Sequence, residues 1–187
     1  EPHAFTQLGT EVKSVAVADL DGTGGADLVV AFKENPTTPL ERSGVRVYLN
    51  SGFGDFTTVT PIEVGVMDAE TKVVTTLDIN GDGNIDIIAG NKDQRNMLYL
   101  NLGGGVFSSA IDIGTDTDET TSVTTGDVFN DGVQAVIVGN AGSANKVYRV
   151  SSANANSVDF LPGIEVGTSS QTDDTRTVKV RPPARLL

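Results

Sequence analysis

Residues 78–86 read DINGDGNID. Oxygen-bearing side chains stand at alternate positions, Asp78, Asn80 and Asp82; Gly83 then permits a sharp turn, and Asp86 closes the run. Alternate oxygens around a glycine turn form a pocket for a hard cation, and calcium takes six to eight such ligands. The competing reading is an Asx-turn hairpin, which favours the same Asp, Asn and Gly residues without any metal.

Working outward, the residues before this loop recur. EVKSVAVAD ends at Asp19, ETKVVTTLD at Asp78 and ETTSVTTGD at Asp127, and a fourth copy, DTRTVKVRP, ends at Pro182. The spacing, on the order of 50 residues, is that of a supersecondary repeat. A β-branched run follows each of the first three (ADLVVAF, IDIIAGN, QAVIVGN), then a strand with a tyrosine at the matching place, Tyr48, Tyr99 or Tyr148. A glycine-rich or polar turn and a last strand closing on glycine complete the unit. No stretch holds a 3.6-residue period, whereas short apolar runs bounded by turn residues recur throughout. The expected fold is therefore all-β: a β-propeller-like array of four-stranded antiparallel blades in one repeat domain, 1–187. Three full blades are expected at 11–65, 66–114 and 115–167, with a lone outer strand at 5–9 and a lone inner strand at 175–180. Three blades do not close a ring of four to eight, so an incomplete ring or a share of an oligomeric ring is expected, with self-association covering the exposed blade faces.

Composition agrees and narrows the function. The 187 residues include 21 glycines and only 5% aromatics, a profile of short strands and tight turns. The formal net charge of −12 disfavours nucleic acid, because no basic cluster is present to neutralise phosphates. No apolar run is long enough to cross a bilayer. The chain has no cysteine, which removes disulfides, thiolate metal sites and cysteine nucleophiles together. Its one histidine, His3, stands near the beginning of the sequence, so triad chemistry has no support and a non-catalytic role is expected.

The loops and the following Tyr48–Phe56 and Tyr99–Phe107 segments resemble the FG-GAP/VCBS repeats of integrin α-subunit propellers and bacterial surface proteins. The resemblance implies that side chains at loop positions 1, 3, 5 and 9 and the carbonyl at position 7 hold Ca2+. In the second loop these are Asp78, Asn80, Asp82, Asn84 and Asp86. In the first loop, DLDGTGGAD, they are Asp19, Asp21, Thr23, Gly25 and Asp27, and the neutral Thr23 hydroxyl lowers the expected affinity. The third loop, DVFNDGVQA, has Phe129 at position 3 and Ala135 at position 9, so it is expected to be metal-free with Phe129 drawn into the core. An EF-hand is excluded, since its twelfth position falls on Ala89 or Val30 within strand-like runs.

With the four strands of each unit lettered a to d in chain order, antiparallel pairing puts the calcium loops, between a and b, on one face and the b–c and d–a loops on the other. The second face collects the insertion at 33–44 and the acidic d–a loops; the resemblance implies that partners bind on this face, so candidate partner-binding residues are Lys33, Glu34, Glu41, Arg42, Asp68, Glu70, Asp116 and Asp118. The resemblance implies an extracellular or cell-surface recognition or adhesion module binding protein or carbohydrate there. The alternative is a purely structural repeat segment of a larger secreted protein or enzyme, its acidic rim merely solvated.

Overall fold

The computed structural model describes residues 10–34, 43–52, 54–56, 58–65 and 68–167. The strands expected at 5–9 and 175–180, and the candidate residues Glu41 and Arg42, lie outside the described residues. Among those described there is no helix, and three antiparallel sheets follow one another along the chain.

The first sheet is a meander of β1 (Thr10–Ala18), β2 (Asp27–Glu34), β3 (Ser43–Tyr48) and β4 (Ile62–Val64). The second repeats it with β5 (Thr71–Leu77), β6 (Asp86–Asn91), β7 (Asn96–Tyr99) and β8 (Ile111–Ile113). The third contains β9 (Glu119–Gly126), β10 (Ala135–Ala141) and β11 (Asn145–Asn154), and its outer strand is split. β12 (Ser157–Phe160) pairs with the far end of β11, and β13 (Ile164–Val166) with its near end. The Leu161–Pro162–Gly163 segment interrupts them, and proline cannot donate to a continuing ladder. The inner strand of every sheet carries an irregularity at the same register, after Val12, Thr71 and Thr120.

The middle strands β6 and β10 are buried along almost their whole length, as β-branched runs between two packed layers should be. The inner strand of each later sheet packs on the sheet before it: β5 against β1, β2 and β3, and β9 against β5 and β6. Two cores result. Val29, Ala31, Val45, Val47 and Val64 of the first sheet meet Val74, Ile87, Ala89 and Tyr99 of the second. Ile88, Leu98 and Ile113 of the second meet Val123, Val136, Val138 and Tyr148 of the third.

Glycine sets how closely the layers approach. Gly65 and Gly114 end the outer strands of the first two units with φ of +75° and +72°. A Cβ on Gly65 would overlap the Tyr99 ring, and one on Gly114 would overlap Tyr148. Of the three tyrosines at the repeated position, Tyr99 and Tyr148 are thus buried between blades, while Tyr48 is half-buried. The architecture is a stack of blade-like sheets consistent with a partial propeller.

Candidate metal centre

Each a–b turn is held by its own carboxylates. In the first, Asp19 Oδ1 accepts from the Gly22 N–H and its Oδ2 from the Gly24 N–H, both at 2.9 Å. Asp21 Oδ1 accepts from the Thr23 N–H at 2.9 Å. Asp27, at the start of β2, is fully buried and spans two turns. One of its oxygens accepts from the Leu20 N–H and the other from the Asn50 N–H, each at 2.7 Å.

The second turn is built alike. Asp78 accepts from the N–H groups of Gly81, Asp82 and Gly83, and Asp86 accepts from Ile79 at 3.0 Å and Asn101 at 2.8 Å. Asp82 accepts from both the backbone N–H and the side-chain amide of Asn84, which holds its carboxyl below the usual range. Burial pushes the Asp86 carboxyl up to about 6; its two backbone donors oppose the shift, and the charges of Asp82 and Asp78 add to it.

The adjoining unit braces each loop. The Asn101 amide donates to the carbonyls of Leu20 (2.7 Å) and Ile85 (3.1 Å), and the Asn80 amide donates to the Asn154 carbonyl at 3.2 Å. Asn50 and Asn101 were not among the residues singled out from sequence. Their signal was present: Tyr-Leu-Asn closes β3 and β7 where the loop's ninth position is Asp, and the third unit has lost both, with Ala135 and Val150 instead.

Two oxygens bound to one calcium at about 2.4 Å each stand no more than about 5 Å apart. The Asp19, Asp21 and Asp27 carboxylates meet that limit, with ligand atoms all within 4.8 Å of one another. No other acidic trio among the described residues does. Carboxylate gathering therefore favours the first loop, although spacing alone ranked the second higher. In the second loop the Asn80 amide nitrogen donates to Asp82 at 3.0 Å, and Asn80 Oδ1 accepts from the Asp82 N–H. Thr23 is exposed and Gly25 buried against Asn50. The donor set fits calcium: hard oxygens, clustered carboxylates, and at Asp86 a repulsion that a cation would reverse.

The third loop has a different solution. Asp127 accepts from Gly132 and Asp131 N–H groups as its counterparts do. The Arg149 guanidinium then ion-pairs with Asp131 and lies 5.1 Å over the Phe129 ring. Phe129 is not drawn into the core as expected: it stays 40% exposed. The guanidinium supplies both a charge partner for the carboxylate and a face for the ring, so the side chain has a favourable place outside.

On the opposite face the structure brings several of the candidate partner residues together. Asp68 bridges Ser43 at the end of the insertion, and Lys33 at the end of β2 stands 3.7 Å from Glu70, beside the β2 terminus Glu34. Glu70 also pairs with Lys72 at 2.6 Å. Lys146 lies between Asp116 (2.7 Å) and Asp118 (2.9 Å), and the Tyr148 hydroxyl donates to Asp116 at 2.6 Å. Burial first, and this bond second, raise the Tyr148 hydroxyl's pKa far above its ordinary value.

No curated protein matches the sequence. The FG-GAP-like repeat does, over residues 19–89 and 78–138, and the two matches begin at the first aspartates of the two intact loops. With more than half of its length matched and its sheets repeating in that register, the chain belongs to the FG-GAP-like repeat family.

Proposed function

We propose that the chain is a calcium-stapled, non-catalytic recognition module that works outside the cell. The single observation that carries the reading is the Asp19, Asp21 and Asp27 trio, whose ligand atoms lie within one ion's reach. Asp19, Asp21 and Asp27, with Thr23 and the Gly25 carbonyl, would hold one ion; Asp78, Asn80, Asp82, Asp86 and the Asn84 carbonyl would hold a second. The ion's role is electrostatic: it offsets carboxylate repulsion at a turn and so holds two strands of one blade together. Extracellular modules bind calcium at about 10⁻⁴ to 10⁻³ M, which keeps such loops filled outside a cell and empty inside.

A protein or carbohydrate ligand would bind on the face of the b–c and d–a loops, where Lys33, Asp68, Glu70, Asp116 and Asp118 gather. One observation favours the structural alternative: Asp116, Asp118 and Glu70 are already engaged by Lys146, Lys72 and Lys33. Calorimetric titration with calcium, alongside glycan-array and pull-down binding, tests both readings. Calcium uptake with ligand capture supports the module. Calcium uptake without capture leaves a structural repeat, and no uptake at millimolar calcium overturns the metal reading.

A further inference from the structure

Asn101 is fully buried where the first two units meet, and it is bonded to the a–b turns of both. Toward its own unit, its N–H donates to Asp86 Oδ1 at 2.8 Å and its side-chain amide to the Ile85 carbonyl at 3.1 Å. Toward the preceding unit, the same amide donates to the Leu20 carbonyl at 2.7 Å. Its Oδ1 accepts from the Gly103 N–H at 3.0 Å, which fixes the direction of the amide. Leu20 stands between Asp19 and Asp21, and its own N–H donates to Asp27 at 2.7 Å. The turn beyond Asn101 closes on the same loop: a Cβ on Gly105 would stand 3.2 Å from the Leu49 side chain and 3.9 Å from that of Asp21. In the first unit Asn50 makes the corresponding bonds to its own loop, at Asp27 and the Ala26 carbonyl. In the third unit Val150 stands at this place and has no side-chain amide to give.

We propose that Asn101 is a positioning residue that couples the two calcium loops, so that filling one raises the affinity of the other. The inference rests on the calcium reading above and adds that the two sites do not fill independently. Asp86, once it ligates, keeps a fixed carboxylate against the Asn101 N–H. Asn101 in turn holds the Leu20 carbonyl, and with it the peptide that joins Leu20 to Asp21. Ordering the second loop therefore orders the first, which loses less freedom when its own site fills. Linkage makes the effect reciprocal and equal in size. Charge acting alone predicts the opposite sign, since two divalent cations repel.

Calcium titration of the full 187-residue chain, followed by nuclear magnetic resonance, tests the coupling site by site. The Gly24 amide reports the first loop and the Gly83 amide the second, since each donates to the first aspartate of its loop. Asp82→Ala removes a ligand from the second loop at an exposed position whose bonds lie within that loop. It should weaken calcium binding at the first loop by about 5-fold or more. Asp21→Ala should weaken the second loop by the same factor. In an Asn101→Ala background, Asp82→Ala should no longer change the first loop's affinity. Thermal melts in chelator check that each variant folds, and the Asp82→Ala comparison decides the coupling even where Asn101→Ala does not fold. A first loop whose affinity Asp82→Ala leaves unchanged or strengthens overturns the coupling while the calcium reading stands. A loss that persists undiminished in the Asn101→Ala background overturns Asn101 as its carrier. No calcium uptake by the wild type overturns both readings together.

Discussion

Replacing Gly114 by alanine should destabilise the protein far more than the same change at Gly167, and the difference measures how tightly the units are stacked. Both glycines have φ in the left-handed region, +72° and +95°, where an L-residue costs about 1–2 kcal/mol. At Gly167 that is the whole cost, because nothing lies within 4 Å of the new methyl. At Gly114 the methyl also overlaps the Tyr148 ring, whose same edge lies so close to Gly163 that a Cβ there would overlap it too. Tyr148 cannot swing away freely: it is 1% exposed, and its hydroxyl is tied to Asp116. Overpacking of this kind costs typically 1–3 kcal/mol, so Gly114→Ala should cost about 2–5 kcal/mol in all. Urea unfolding at fixed calcium gives both values. A double-mutant cycle isolates the contact, since in a Tyr148→Ala background the ring is gone and the extra cost of Gly114→Ala should vanish. Equal losses for Gly114→Ala and Gly167→Ala, or a cycle with no coupling energy, would refute the stacking argument.

Three further outcomes are expected. Asp27→Asn should remove calcium binding at the first loop in a calorimetric titration and cost about 1–3 kcal/mol in urea unfolding even under chelator. The amide cannot accept from both Leu20 and Asn50, so one buried N–H is left unpaired. In chelator, Asp86 should make stability fall as pH rises from 3.8 through about 6. Its folded carboxyl titrates above its ordinary value, so the protonated form favours the fold, and that advantage disappears on ionisation. Calcium should flatten this slope, and a carbon-13 titration of Asp86 that shows an ordinary carboxyl would contradict it. Arg149→Ala should lower stability by up to about 1 kcal/mol, the range of partly exposed ion pairs, and leave calcium stoichiometry unchanged, because the third loop carries its own cation; lost stoichiometry in calorimetry would count against this.

Repeat and strand order were legible in the sequence because they depend on local pattern. Alternating β-branched residues dictate which face of each strand is buried, and the Asp/Asn/Gly spacing specifies a tight turn rich in oxygens, whatever lies around it. The chain therefore determined by itself three units in register, two intact loops and one that had lost Asp at position 9. It could not show that Asp19, Asp21 and Asp27 gather within one ion's reach, because Asp27 is held from another turn by the Asn50 N–H. Nor could it keep Phe129 out of the core, since Arg149, which covers the ring, follows in the sequence only after β10 and the next turn, midway along β11. The splitting of the last outer strand and the seating of Tyr99 and Tyr148 over Gly65 and Gly114 are decisions of the same kind. Each depends on contacts between separate strands or units, and such contacts exist only once the sheets have stacked, so local spacing carries no record of them.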